Sequence, residues 1–300
     1  MFDDFHAMKI DTGDAGIFVR RAGNGPALLL LHGFPQTHLM WRDVAPALAR
    51  QFTVICADLR GYGASSCPCS DSAHTPYTKR AMAADMAALM AHLGFESFMV
   101  AGHDRGARVA YRMALDHPGR VEKLAVLDIV ATADAWDRAD ARLAQSYWPW
   151  SLLAQPEPLP EVILAGAAEV VVDNALGGWG SSPSAFPPEV RQAYVDALRD
   201  PAHIHAICEE YRATATLDRE HDLADKEAGR RIRCPVLALW SGQGALAEWY
   251  AGEGGPLALW RGWADDVHGR AMPGGHFFPE EVPVETARAL ADFFGETNRA

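Results

Sequence analysis

Short apolar runs recur along this chain, and most are continuous rather than alternating: residues 27–32, 53–57, 98–102, 123–128, 236–240 and 267–272. A strand covered on both faces has no polar side to show, so such runs point to inner strands of a parallel sheet. Ahead of them, residues 8–11 and 16–21 around Gly13 read as a hairpin. Helical patterns fill the intervals. Residues 78–93 carry an apolar stripe at three-to-four spacing and stop at Gly94; residues 106–116 follow a run directly, and 283–294 make a third helix. Strand and helix in alternation predict an α/β chain built on a mostly parallel, doubly wound sheet.

The alternation fails between about 131 and 232, a stretch rich in Trp and Pro, with helical patterns at 188–200 and 202–213. One hundred residues are too many for a loop in a compact domain, by the roughly 12–15 that loops seldom exceed. An inserted helical cap over one end of the sheet is the economical reading. It divides the chain into a first core part (1–130), a cap (131–232) and a second core part (233–300).

Charge narrows the partners. Twenty-seven Lys and Arg against 39 Asp and Glu leave a formal charge of −12. A surface that acidic repels phosphate backbones and argues against nucleic acid. An anionic substrate would need Arg or Lys close at hand. The first residues carry acids where a signal peptide carries bases, and the longest apolar run, 27–31, falls far short of the roughly 20 residues of a membrane span. Five cysteines, odd in number and without CxxC, suggest reduced thiols in a cytoplasmic protein. The Cys67-Pro-Cys69 pair near His74 lacks the second ligand pair of a zinc site.

The chemistry-bearing residues sit where runs end. Val100-Ala101-Gly102-His103-Asp104-Arg105-Gly106 takes an apolar strand through Gly-x-Asp-x-Gly straight into a helix. The glycines relieve crowding, so that the central residue can occupy a strained turn with its side chain presented: a nucleophile elbow, with Asp104 where esterases carry Ser. His32-Gly33-Phe34-Pro35 follows another run, and the N–H groups of Phe34 and Arg105 are the expected oxyanion donors. Asp128 ends a third run, and His276 lies in Pro273-Gly274-Gly275-His276-Phe277 after the last, giving the order nucleophile, acid, histidine.

These motifs resemble the α/β-hydrolase fold, and more specifically the haloacetate (fluoroacetate) dehalogenases. The similarity runs through HGFPQTHLMW, ADLRGYG, TPYTKRAMA, GHDRGARVAYRMALDHP, LDI, QPEPLPE, YRA and PGGHFFPEE, essentially the whole chain. It implies that haloacetates are hydrolysed to glycolate and halide through an ester on Asp104, which water then cleaves with His276 as base and Asp128 orienting it. The choice of Asp has a chemical reason. Serine attacking an sp³ carbon would leave an ether, whereas a carboxylate leaves an ester that water can open at the enzyme's own carbonyl. No metal or organic cofactor is implied, since nucleophile, base and water supply the chemistry.

Arg105 and Arg108 point to the substrate class. Two guanidiniums beside a nucleophilic carboxylate are placed to fork onto a second carboxylate and to keep Asp104 ionised, and the resemblance assigns them that carboxylate-binding role. The halide pocket departs from the family. Where the pattern has a His-Trp pair, this chain has Pro149-Trp150, and the cap tyrosine position falls at Thr216. Proline donates nothing, so defluorination is expected to be weakened unless Thr216, Tyr147 or a water compensates. Trp179 matches a further cap tryptophan near the site, and the family's habit of pairing implies a homodimer. The rival readings are an epoxide hydrolase, which needs cap tyrosines such as Tyr147, Tyr194 or Tyr211, and a ligand-binding protein without turnover. Asp265, Asp266 and Glu248 are alternatives to Asp128 as the acid, and His32 and His103 read as supports of the catalytic loops.

Overall fold

A computed structural model describes residues 1–296 of the chain. Eight strands, β1 (His6–Asp11), β2 (Gly16–Ala22), β3 (Ala27–Leu31), β4 (Thr53–Ala57), β5 (Phe98–His103), β6 (Val121–Leu127), β7 (Val236–Ser241) and β8 (Val267–Met272), share one sheet. Their order is β1-β2-β4-β3-β5-β6-β7-β8, with β2 antiparallel to both its neighbours, β1 and β4, and every other pair parallel. Every residue of β3, β4 and β5 is buried. Two apolar clusters, one on each face, cover them: Leu29, Leu31 and Val100 face one, Leu28, Leu30 and Ala101 the other. That is why those runs are continuous.

Helix α1 (Lys79–His92) begins where the Thr78 hydroxyl accepts the Ala81 N–H and ends ahead of Gly94, which has φ +86°. Helix α2 (Arg105–Asp116) leaves β5 with Asp104 between them. Among the described residues, every element from 132 to 227 is helical: chiefly α3 (Thr132–Asp137), α4 (Ala141–Ser146), α5 (Leu159–Gly178), α6 (Pro188–Ala197), α7 (Pro201–Ala213) and α8 (Arg219–Glu227). The long α5 carries no sequence signal of its own, because its apolar residues are spread around its circumference. Helix α9 (Gly255–Arg261) precedes β8, and α10 (Pro283–Gly295) follows it.

Ion pairs fasten the helical layer to the core. Arg112 of α2, 2% exposed, reaches Asp225 at 2.5 Å and Asp222 at 2.8 Å on α8, and Tyr111 donates its hydroxyl to Asp222 at 2.8 Å. Removing one member of a buried set strands the others without compensation. Arg112→Ala should therefore lower stability by about 3–5 kcal/mol. Denaturant unfolding followed by circular dichroism measures this, and a loss below 1 kcal/mol would show that the two acids find other partners.

Candidate active site

The parallel strands all deliver their C-terminal ends to one edge of the sheet. Phe34 follows β3, Asp104 follows β5, Asp128 follows β6, Ser241 closes β7 and His276 comes shortly after β8. The crevice outside the carboxyl ends, where chain order reverses, is where such sheets bind ligands.

Asp104 holds φ +47° and ψ −115°, a conformation that L-residues rarely adopt. The turn is possible because nothing else fits beside it. A Cβ on Gly106 would lie 2.4 Å from the His32 carbonyl oxygen, and one on Gly33 2.5 Å from Asp104 Cβ. The tight approach lets the Phe34 N–H donate to Asp104 Oδ1 at 3.0 Å. Arg105's own N–H, the second donor expected from the sequence, makes no hydrogen bond to that carboxylate among the described residues.

The other oxygen, Oδ2, stands 4.0 Å from His276 Nε2. On the far side of the ring, Nδ1 meets Asp128 Oδ2 at 2.6 Å, and the Ser241 N–H donates to Asp128 Oδ1 at 2.7 Å. The Trp179 carbonyl accepts the His276 N–H at 2.9 Å, and His103 Nε2 lies 2.8 Å from the His276 carbonyl. Burial would make the His276 ring harder to protonate. The hydrogen bond and charge of Asp128, with the charge of Asp104, outweigh that and raise its pKa. Asp104 moves the other way. Its burial opposes ionisation, but His276, Arg105 and Arg108 hold its carboxyl below the ordinary range. His103 is pushed down to about 3 by burial, so it supports the loop as a neutral ring. Asp265 and Asp266 are exposed at pairs with Arg231 and His268, and Glu248 is exposed, so none of the three reaches His276.

The arginines divide their work. Arg105 donates from Nε to Glu210 at 2.9 Å and from Nη2 to Thr214 at 2.5 Å, and lies 4.1 Å over the Tyr211 ring. Glu210 also accepts from Lys79 at 2.6 Å and Tyr62 at 2.5 Å. Although burial opposes ionisation, Arg105 and Lys79 hold Glu210's pKa down to about 2. Only Nη1 of Arg105 is left without a partner. Arg108 donates from Nη1 to the Val130 carbonyl and the Thr132 hydroxyl, both at 3.1 Å, lies 4.5 Å over Trp150, and keeps a buried Nε without a partner. Arg108, not Arg105, lines the cavity in front of Asp104.

That cavity is small, about 30 Å³ on a scale where one water needs roughly 10–15 Å³. Asp104, Asp128, His276, Arg108, Tyr147 and Trp150 bound it from below and above, with Leu246, Trp249 and Tyr250 at the side. Trp179 packs edge-on to His276 at 5.4 Å and touches the site through that ring. Thr216 corrects the sequence expectation. It stands in a wide π turn (Thr214–Asp218), donates its hydroxyl to the Arg212 carbonyl at 2.8 Å, and lines a surface groove beside Ser70 and His74. Pro149 does not line the cavity, and Tyr194 is bonded to Glu280 at 3.1 Å, remote from it. Sequence reasoning missed Glu210, Tyr250 and Trp249. A glutamate followed by Tyr211 on a helix with buried apolar residues was the one signal available for Glu210.

The profile of the alpha/beta hydrolase fold matches residues 26–254. The chain belongs to the alpha/beta-hydrolase family. It is 43% identical to a fluoroacetate dehalogenase from a Burkholderia species, covering 99% of this chain and 96% of that one. This hydrolase is also 34% identical to a soluble epoxide hydrolase of Corynebacterium sp. strain C12, over 91% of each. The crystal structure of ALR0039 from Nostoc sp. PCC 7120, assigned as an alpha/beta hydrolase, superposes with a TM-score of 0.95 at 47% identity, covering 99% of this hydrolase and all of that chain.

In this hydrolase the partner of the imidazole sets its protonation. Asp128→Asn should return the His276 pKa from its raised position to the ordinary imidazole value or below, since burial then acts with less opposition. NMR titration of the ring protons tests it. A pKa that stays raised would mean that Asp104 alone sustains the shift.

Proposed function

We propose that this hydrolase cleaves the carbon–halogen bond of haloacetates, giving glycolate and halide through an ester on Asp104. One observation carries the reading: a strained, ionised aspartate and the cationic Arg108 share a narrow cavity lined almost wholly by buried residues. The full-length likeness to a fluoroacetate dehalogenase supports it. Arg108 Nε, on a side chain of the cavity lining, is a buried donor without a protein partner, the kind of group that a substrate carboxylate would satisfy; Arg105 Nη1 is likewise without a partner but lies behind that lining.

In the first step Asp104 Oδ2 attacks the carbon bearing the halogen. A C–O bond forms, the carbon–halogen bond breaks, and the halide leaves with its electron pair. Oδ1 is already hydrogen-bonded to the Phe34 N–H, so it becomes the ester carbonyl oxygen with its oxyanion donor in place. In the second step His276 Nε2 takes a proton from water, and the hydroxide adds to the Asp104 carboxyl carbon. Collapse of the tetrahedral adduct expels glycolate, protonated by His276, and leaves a solvent oxygen on Asp104. Esterification removes one of the carboxylate charges that hold the proton on His276, which favours the neutral base when it is needed.

A second reading has its own support. Tyr147 and Tyr250 both line the cavity, their hydroxyls have no protein partner among the described residues, and epoxide hydrolases are among the relatives. Two phenols over an aspartate suit protonation of an epoxide oxygen. The buried charge of Arg108 has no part in that chemistry, so haloacids come first. Absence of halide release, with turnover of styrene oxide, would reverse this order. As for assembly, α5 leaves Leu159, Val162 and Val170 exposed, and these are what a second copy of the chain would cover. Among the described residues no helix is long and apolar enough to cross a membrane, in keeping with a cytoplasmic enzyme.

Asp104→Asn should abolish halide release, and His276→Asn should trap the ester as added mass on the intact protein after incubation with bromoacetate. Mass spectrometry without any adduct would overturn the covalent route. With wild-type enzyme, chloride and bromide should be released faster than fluoride, by about tenfold or more for one missing hydrogen bond to a departing anion. Equal rates for the three halides would show that Pro149 has been made good by another donor.

A further inference from the structure

The cavity before Asp104 is narrow and lined almost wholly by buried residues, so a substrate has to enter past one of its walls. Three wall residues, Leu143, Trp249 and Tyr250, also line an outer pocket of about 220 Å³. The remaining residues of that outer pocket are Arg138, Asp140, Arg142 and Glu253. The side chains of Arg142 and Glu253 are 56% and 45% exposed, whereas Leu143 and Tyr250 are 7% and 4% exposed. Solvent, charged rim, apolar wall and catalytic cavity thus stand in series. The groove beside Ser70, His74 and Thr216 is larger, about 440 Å³, but shares no lining residue with the cavity.

We propose that haloacid anions reach Asp104 through this outer pocket, and that Leu143, Trp249 and Tyr250 determine which of them pass. The proposal rests on the haloacid reading of the site and adds the route and the filter. Two physical features favour it. An anion approaching a chain of charge −12 is repelled over most of the surface. At this rim Arg138 pairs with Glu253 at 2.7 Å and Arg142 with Asp140 at 2.8 Å, so the local field is balanced and the guanidiniums can meet a carboxylate. The wall is also a seam. Leu143 belongs to α4, between β6 and β7 in the chain, whereas Trp249 and Tyr250 belong to the segment after β7. Beside the wall the two sides meet through the Tyr147–Trp249 ring contact, 5.4 Å between centroids, and the exposed Arg138–Glu253 pair, while the buried Trp263–Asp134 and Trp260–Ile129 hydrogen bonds anchor them further along. Exposed pairs hold little, so the seam can part without disturbing the sheet.

A filter on a route differs from a binding contact in its kinetics: it changes association and dissociation together and leaves the equilibrium alone. Acetate, which has no leaving group, is the probe, and quenching of Trp150 and Trp249 in stopped flow reports its arrival. Leu143→Ala should raise kon and koff together by about threefold or more, with Kd held within about twofold. Arg142→Glu, at the exposed rim, should lower kon severalfold at low ionic strength and recover in high salt, as screened steering requires. Thr216→Trp in the other groove should change neither rate. Unmoved rates in the first two variants, or slowing by Thr216→Trp, would overturn the route. A change in koff and Kd alone would make Leu143 a binding contact and remove it from the filter. If wild-type enzyme does not bind acetate, the haloacid reading itself fails and the route falls with it; binding with unmoved rates would sink the route alone.

Discussion

The arrangement of this hydrolase depends on one backbone conformation, the positive φ of Asp104 at the junction of β5 and α2. A strained residue persists only where its surroundings over-determine it. Here Gly102 and Gly106 let strand and helix close on each other, the Leu127 carbonyl accepts the Asp104 N–H at 3.1 Å, and the Phe34 N–H fixes one carboxylate oxygen. With Oδ1 committed, Oδ2 is the oxygen left free for the attack we propose, and His276 is held on its side by Asp128, Trp179 and His103. In the proposed route the sheet thus decides which of two chemically equivalent oxygens would act.

Electrostatics extends the same logic inward. Three of the buried cations in a chain of net charge −12, Arg105, Arg108 and Lys79, bear on the site. Glu210 balances Arg105 and Lys79, so these two contribute structure and a fixed background potential. Arg108 has only carbonyl, hydroxyl and ring partners, and burial lowers its pKa. The charge of Asp104 reaches Arg108 only through space; a buried cation without a directly paired carboxylate is costly, and a bound substrate carboxylate would supply that pair. The affinity of such a site for anions then comes from Arg108 being left incomplete, while Arg105 is placed behind it by Glu210.

Much of this was legible in the sequence because it is local. The elbow, the HGFP turn, Asp128 and His276 each sit within a few residues of a continuous apolar run, and the parallel topology brings run ends together without long-range information. The helical stretch was legible as an absence of strands and as two helical patterns, at 188–200 and 202–213, where α6 and α7 lie. Thr216 was misplaced because the π turn over Thr214–Asp218 shifts which residues face inward, and no residue-type pattern marks such a turn. Leu246, Trp249 and Tyr250 carried no signal, since they reach the cavity only through the packing of the segment after β7 against the cap. Glu210 was hidden beside Glu209 in an acidic pair, one of which ties to Arg212 while the other is sealed beneath Arg105.

The substitution at Pro149 gains meaning from where the free donors stand. In-line displacement sends the leaving group away from Asp104, toward the ceiling and side wall of the cavity. The donors there are the Trp150 indole and the hydroxyls of Tyr147 and Tyr250, on residues whose burial pushes both phenol pKa values up, Tyr250 to about 12. A protonated phenol can donate to a halide or to an epoxide oxygen alike. What would separate the two chemistries in this cavity is therefore the cation, not the donors: on the haloacid reading Arg108 favours a substrate that carries its own negative charge, whereas an uncharged epoxide would leave that cation with only the through-space charge of Asp104.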